Sequence, residues 1–135
     1  MINVLVVDDH DLMRSSLSRL IDAEADLDLL GAACDGHGGV ELALLLRPDV
    51  VLMDIALPGL DGIGATRELL RELPGARVLI LSSSCRGPVV REALRVGACG
   101  YLLKGDPPEV LMDGIRLAAR GGEPLTPLVR DLSGR

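Results

Sequence analysis

Aromatic side chains are almost absent from this sequence of 135 residues, which contains one tyrosine, Tyr101, and neither phenylalanine nor tryptophan. Sites that stack flavins, nucleobases or sugars on aromatic rings are therefore disfavoured. Because 48% of the residues are hydrophobic, the core must be built from aliphatic side chains. A chain of this length can bury enough of them to form one domain without disulfides or a structural metal.

Positive charge is also in short supply. The 14 Lys and Arg residues are outnumbered by 20 Asp and Glu residues, which gives a formal net charge of −6. The arginines are scattered along stretches with helical periodicity and form no basic stripe. This chain by itself is therefore not expected to bind nucleic acid.

Paired cysteines and a leader segment are missing as well. Cys34, Cys85 and Cys99 are odd in number and lack metal-ligand spacing, which favours reduced thiols over disulfides or a zinc site. The N-terminus has no basic region ahead of a long apolar segment, and Asp8 and Asp9 interrupt its first apolar run. Neither export nor membrane insertion is predicted, so we expect a cytoplasmic protein.

What the sequence does contain is an alternation of short Val, Leu and Ile runs with longer stretches of helical periodicity. Five such units cannot close an eight-stranded barrel, so we predict a (βα)5 doubly wound parallel sheet in the order 2-1-3-4-5. The domain is expected to span residues 1–121. Residues 122–135 have no sustained periodicity and are predicted to be a tail or the start of a linker. The predicted strands lie near residues 3–7, 29–34, 50–53, 78–81 and 99–103.

Polar side chains follow four of these predicted strands. Asp8 and Asp9 come after the first, Asp54 after the third, Ser82 ends the fourth, and Lys104 follows the fifth. In a parallel sheet these ends meet at one edge, where open α/β sheets build their sites. The carboxylates would lie at the topological switch point between the first and third strands.

Carboxylates that share a cleft repel one another unless they take up protons or a cation lies between them. A set of oxygen ligands favours a hard ion such as Mg²⁺, which commonly shares its coordination with a phosphate. Lys104 and Ser82 would then contact further phosphoryl oxygens. No glycine-rich phosphate loop follows the first strand, which disfavours a bound nucleotide. An aspartate that itself accepts the phosphoryl group fits better.

Four segments together resemble, in order and spacing, the receiver domain of bacterial two-component response regulators, over residues 2 to about 121. They are VLVVDDH, RPDVVLMDIALPGLDG, VLILSSS and VGACGYLLKGDPPEVL. The DDH and GYLLK portions look most like the NarL/FixJ-type subfamily, whose receivers precede a LuxR-type helix-turn-helix effector domain. The resemblance implies a flavodoxin-like receiver fold and a phosphorylation-activated switch rather than an enzyme, apart from its own phosphorylation and autodephosphorylation.

By this resemblance Asp54 is the phosphoacceptor for a sensor histidine kinase. Asp9 and Asp54 would bind Mg²⁺ directly, Asp8 through water, and Ile55 through its backbone carbonyl. DNA would be reached only through an effector domain that this chain does not contain. A homodimer formed on phosphorylation is a further candidate assembly, and no membrane partner is implied.

The resemblance also assigns roles near the phosphoryl group. Ser82 and Lys104 would contact its oxygens, and Tyr101 would be a switch residue that turns inward as Ser82 moves. The surface formed by the fourth helix, fifth strand and fifth helix would change in response. Ala56 and Ser84, two residues beyond Asp54 and Ser82, would tune how long the phosphoryl group survives.

Other interpretations remain open from the residues alone. Asp8, Asp9 and Asp11 could simply cap the first helix and complement its dipole. An aspartate-nucleophile phosphohydrolase would need an acid two residues after Asp54, where Ala56 stands. A flavodoxin-like electron carrier would need aromatic rings and a hydroxyl-rich phosphate loop. A degenerate or single-domain receiver could act only as an interaction module.

Overall fold

The short aliphatic runs form the strands of one parallel sheet in the computed structural model, which describes residues 1–134. The strands are β1 (Ile2–Val7), β2 (Leu27–Ala33), β3 (Val50–Met53), β4 (Arg77–Ser82) and β5 (Gly100–Leu103). Their order in the sheet is β2-β1-β3-β4-β5, so the predicted fold class is confirmed. β3 is buried along its whole length, as expected for a central parallel strand covered on both faces.

Helices cover both faces of this sheet, and alternate strand residues point into two separate cores. One core contains Leu5 and Met53 beside buried residues of the second, third and fourth helices, and the other contains Val4 and Leu52 beside the first and fifth. No helix within residues 1–134 is long and apolar enough to cross a membrane. The helices are α1 (Asp11–Asp22), α2 (Gly36–Leu46), α3 (Gly62–Glu72), α4 (Gly87–Arg95), α5 (Pro108–Ala119) and α6 (Pro127–Leu132).

The start of α3 is fitted closely against the end of β3. Asp61 caps the helix by accepting a hydrogen bond from the Gly64 N–H at 2.7 Å. A Cβ atom at residue 62 would overlap the Asp54 carbonyl group. Glycine at position 62 therefore lets the loop after β3 fold back tightly, which fixes the backbone around Asp54.

The stretch predicted to be a tail or linker is packed against the domain, and the structure differs from the sequence prediction there. Leu125 forms a parallel β-bridge with Tyr101, and Leu125 and Val129 are buried in the core beside it. The apolar residues of this stretch are too few and too interrupted by proline to produce a periodic pattern in the sequence. Arg135, the last residue of that stretch, lies outside the described residues, and the boundary after residue 121 stays a prediction.

Candidate acidic site at the sheet edge

The carboxyl ends of β1 and β3 lie side by side, as the predicted strand order requires. Val7 pairs with Met53 in the register, and the Asp54 N–H donates to the Val7 carbonyl at 3.0 Å. Asp8 and Asp54 are only 2% and 3% exposed. The sheet therefore forces two nearly buried carboxylates into the same cleft.

Lys104 lies between these two carboxylates. Its Nζ is 2.9 Å from Asp8 Oδ2 and 3.0 Å from Asp54 Oδ2, and its side chain is 10% exposed. The Lys104 N–H also donates to the Ser82 carbonyl at 2.9 Å, which holds the lysine backbone beside the end of β4. The structure thus brings together the acids and the ammonium that follow strands β1, β3 and β5.

Burial and charge shift the proton equilibria of this group in opposite directions. Burial raises the pKa of the Asp54 carboxyl above its ordinary value, a hydrogen bond from Lys104 opposes that rise, and the negative charge of Asp8 adds to it. Burial alone would lower the pKa of Lys104, but its bonds to Asp8 and Asp54 outweigh that effect and raise it. The raised pKa of Lys104 keeps the lysine charged, while the raised pKa of Asp54 makes that carboxyl resist ionisation.

Asp9 adds an oxygen that has no hydrogen-bond partner among residues 1–134. Its Oδ1 is buried and accepts no hydrogen bond from the described residues. Ligand atoms of Asp8, Asp9, His10 and Asp54 all lie within 4.8 Å of one another. An unpaired buried oxygen facing two further carboxylates fits a hard divalent cation, which prefers oxygen ligands. The acidic cluster can therefore hold a metal ion.

His10 belongs to this cluster, although its position after the two acids is the only sign of this in the sequence. Its Nδ1 lies 3.5 Å from Asp8 Oδ1 and 3.5 Å from Asp9 Oδ1, and its side chain is 67% exposed. The backbone N–H of His10 donates to Asp8 Oδ1 at 2.9 Å. This bond holds the Asp8 carboxylate in place at the start of α1.

The Ile55 carbonyl, which is expected from the family resemblance to bind the metal, is not available as a ligand. It accepts two backbone hydrogen bonds, from the Leu57 and Gly62 N–H groups, each at 2.9 Å. A carbonyl oxygen has two lone pairs, so both are used in closing the loop. The Ala56 carbonyl accepts no hydrogen bond from residues 1–134. Ala56 is exposed, and its N–H donates to Asp54 Oδ1 at 3.3 Å.

A chain of hydrogen bonds leads from Ser82 to Tyr101. Ser82, 3% exposed, accepts a bond at its Oγ from the Ser84 N–H at 3.0 Å. The Tyr101 hydroxyl donates to the Ser84 carbonyl at 2.6 Å. Burial raises the pKa of Tyr101, and a hydrogen bond with Ser82 partly offsets it. No hydrogen bond joins Ser82 to Asp54 within residues 1–134. The Tyr101 side chain is already buried in a structure where Ser82 does not bond to the acid.

Comparison with known sequences places this arrangement in a family. The family described as "Response regulator receiver domain" matches residues 4–116. The transcriptional regulatory protein LiaR of Bacillus subtilis (strain 168) is 40% identical over 121 residues, which cover 90% of this chain and 57% of that protein. The nitrate/nitrite response regulator protein NarL of Escherichia coli (strain K12) is 36% identical, with 93% and 60% covered. The chain thus spans little more than half the length of these relatives.

Solved structures give the same result. A LuxR-family two-component response regulator from Aurantimonas sp. SI85-9A1 superposes with a TM-score of 0.91 at 30% identity, covering 97% of this chain and 94% of that one. The signal receiver domain of the putative response regulator NarL from Mycobacterium tuberculosis superposes with a TM-score of 0.85 at 32% identity, covering 89% and 97%. The similarity extends over nearly the whole chain in both cases.

Proposed function

The chain belongs to the response regulator receiver family, and we propose that it is a phosphorylation-activated switch that accepts a phosphoryl group on Asp54 from a sensor histidine kinase. The observation that carries this proposal is the pairing of buried Asp54 with Lys104 at the switch point of the sheet. A nearly buried carboxylate beside two other acids is costly. Such an arrangement is favoured where a phosphoryl group and a cation are to be bound.

The two oxygens of Asp54 are unequally occupied. Oδ2 accepts a 3.0 Å bond from Lys104, whereas Oδ1 accepts only a 3.3 Å bond from the Ala56 N–H. We therefore assign nucleophilic attack on phosphorus to Oδ1. The new O–P bond forms as the P–N bond of the phosphohistidine breaks, and the electron pair of that bond returns to the imidazole nitrogen. Lys104 is then placed to pair with the phosphoryl oxygens.

Mg²⁺ is the cation that we propose for the acidic cluster, held by Asp9 and Asp54 directly and by Asp8 through water. When bound, it offsets the negative charge of the phosphoryl oxygens. The unpaired Oδ1 of Asp9 supports this assignment. Since the Ile55 carbonyl is already used, the Ala56 carbonyl is the backbone oxygen of this loop that we propose in its place.

Ser82 and Tyr101 are proposed to report that the phosphoryl group is present. Ser82 would turn its hydroxyl toward the phosphoryl oxygens and release Ser84, whose carbonyl holds Tyr101. Tyr101 is already buried in this structure, so the change that we propose is a loss of its bond to Ser84 rather than an inward turn. Because Tyr101 lies in β5 between α4 and α5, the change would reach the α4–β5–α5 surface. Exposed Ala56 leaves the acyl phosphate open to water, and Ala56 and Ser84 are proposed to set its lifetime.

The output that we propose is transcriptional control through a LuxR-type DNA-binding domain outside this chain. Relatives of this chain are named as transcriptional regulatory proteins, and this chain covers little more than half of their length. Dimerisation on phosphorylation is part of the same proposal. The three cysteines are all free thiols, which supports a reducing, cytoplasmic compartment.

Incubation with acetyl phosphate and Mg²⁺, followed by intact-mass measurement, tests the assignment. One phosphoryl group should be added to the wild type, none to Asp54→Ala, and one to Asp11→Asn, a matched control at an acid whose side chain is 92% exposed. A phosphoryl group that persists in Asp54→Ala would refute the assignment of the acceptor. Repeated turnover of acetyl phosphate without an accumulated adduct would favour a phosphohydrolase, for which exposed Ala56 offers no acid.

A further inference from the structure

The turn that carries Lys104 is closed on both sides by one residue, Asp106. The Asp106 N–H donates to the Leu103 carbonyl at 3.0 Å, and the Leu103 N–H donates to Asp106 Oδ2 at 3.0 Å. Gly105, the only other residue of the turn, has open space around its Cα. The position of the Lys104 backbone therefore depends on where the Asp106 carboxylate is held.

Asp106 does not serve as a cap for the helix that follows it. The N-cap of α5 is Pro107, and no side chain caps that helix. The Asp106 carboxylate instead points back to the end of β5 and forward to the C-terminal segment. Its role in capping a helix, which is the ordinary reason for an aspartate at this place, is therefore excluded.

The same Oδ2 atom of Asp106 accepts a hydrogen bond from the Thr126 hydroxyl at 2.5 Å. This length is typical of a hydroxyl donating to a carboxylate, which is among the stronger hydrogen bonds in proteins. Thr126 is 9% exposed. One backbone N–H, that of Leu103, and one side chain from 20 residues away thus meet at this carboxylate.

Thr126 is itself held by the docking of its segment along β5. The Tyr101 N–H donates to the Pro124 carbonyl at 2.9 Å, and the Thr126 N–H donates to the Tyr101 carbonyl at 3.3 Å. A Cβ at residue 100 would overlap the Pro124 carbonyl, so the close approach requires the glycine found there. Leu125 and Val129 anchor the segment in the core.

We propose that Asp106 is a positioning residue for Lys104, that Thr126 fixes the Asp106 carboxylate, and that the docked C-terminal segment thereby sets the rate at which Asp54 is phosphorylated. This inference rests on the proposed function of Asp54 and Lys104. The Lys104 ammonium must be held about 3 Å from its partners, and small misplacements of a catalytic group are costly in rate.

The test compares initial rates of phosphorylation by acetyl phosphate with Mg²⁺ in Thr126→Val, Thr126→Ser and the wild type. Valine keeps the shape of threonine and removes the hydroxyl, so the maximal rate should fall about tenfold, the loss expected for one strong hydrogen bond. The acetyl phosphate concentration at half-maximal rate should not change. Serine retains the hydroxyl and should restore the rate.

Arg91→Ala is the matched control, because Arg91 makes a polar link to this segment that involves neither Thr126 nor Asp106, donating to the Leu132 carbonyl at 3.1 Å. Its phosphorylation rate should equal that of the wild type. Asp106→Asn keeps an oxygen for Leu103 but loses the charge, so its rate should fall in the same direction by about threefold. It also provides a second measurement if Thr126→Val does not fold.

Wild-type rates in both Thr126→Val and Asp106→Asn, or a failure of Thr126→Ser to restore the rate, would overturn the inference while leaving the proposed function intact. A wild-type chain that takes up no phosphoryl group would instead overturn the proposed function, and this inference with it. Melting temperatures of each variant, measured beside the rates, separate a loss of Lys104 positioning from a loss of folded protein.

Discussion

Replacing Tyr101 by phenylalanine tests the hydrogen-bond chain behind Ser82 with unusual clarity, because this is the only tyrosine in the chain. The substitution keeps the fully buried ring and removes the hydroxyl, which donates to the Ser84 carbonyl at 2.6 Å. The carbonyl of half-buried Ser84 then loses its partner, which costs about 1–2 kcal/mol. For a chain of this size we expect the melting temperature to fall by roughly 3–10 °C at pH 7.

The difference between wild type and Tyr101→Phe should depend on pH. Burial raises the folded-state pKa of Tyr101 above its ordinary value of 10.0. The stability contributed by this raised pKa is fully present below the unfolded pKa and is lost as the pH rises through the folded one. The advantage of the wild type should therefore be constant from pH 7 to about 9 and shrink above pH 10. Phenylalanine has no hydroxyl to ionise. Lys104 is present in both proteins, so its ionisation does not contribute to the difference between them.

Urea unfolding followed by far-ultraviolet circular dichroism at several pH values measures this difference. Tyrosinate absorbance reports the ionisation of Tyr101 alone, since no other tyrosine or tryptophan is present. Its midpoint should lie above 10.0 in the folded protein and return toward that ordinary value in urea. Equal stability of the two proteins at pH 7, or a difference that widens above pH 10, would refute the reasoning.

Three further predictions concern the acidic site. Asp54→Asn should be more stable than the wild type at pH 7 in urea unfolding, because burial raises the Asp54 pKa. The stability that a raised pKa contributes is present below the unfolded pKa and is lost as the pH rises through the folded pKa. The advantage of the variant should therefore shrink toward pH 4, and an advantage that does not shrink would contradict this prediction. Ala56→Arg should lengthen the half-life of the phosphorylated protein, because a long side chain at this exposed position would shield the acyl phosphate from water. The half-life is measured by intact mass after removal of the donor, and an unchanged half-life would count against this prediction. Mg²⁺ at 100 times the dissociation constant of the wild type should stabilise the wild type by about 2.7 kcal/mol, seen as a raised melting temperature. An equal rise for Asp9→Asn at the same Mg²⁺ concentration would exclude Asp9 as a ligand.

The strand order and the meeting of Asp8, Asp54 and Lys104 could be predicted from the sequence, because both follow from local patterns. A run of aliphatic residues marks a buried parallel strand, and the residue after it must emerge at the carboxyl edge of the sheet. No knowledge of side-chain packing was needed. The register between Val7 and Met53 then places the acids together.

The state of the Ile55 carbonyl could not be predicted in the same way. Its oxygen is used by Leu57 and Gly62 because the loop after β3 turns back on itself, and that turn depends on the fit of Gly62 against Asp54. Such closure is a property of the folded loop rather than of residue type. The family resemblance assigned the Ile55 carbonyl as a metal ligand, but it carried no information about the hydrogen bonds that this carbonyl accepts within the loop.

The docking of residues 122–134 was missed for a different reason. Only Leu125 and Val129 are anchored in the core, which is too few apolar positions to produce a periodic signal. The bond between Thr126 and Asp106 joins residues 20 positions apart. Contacts of this kind arise from the tertiary fold and leave no pattern in neighbouring residues.

The backbone bonds between Tyr101 and the segment 124–126 also protect the sheet from other chains. A sheet edge with free N–H and C=O groups is a template for strands of neighbouring molecules, and natural proteins cover or interrupt such edges. Here the Tyr101 groups at the outer edge of β5 are occupied by Pro124 and Thr126. A shortened chain that ends near residue 121 would lack Leu125 and leave the apolar outer edge of β5 uncovered. Such a chain would be prone to aggregate.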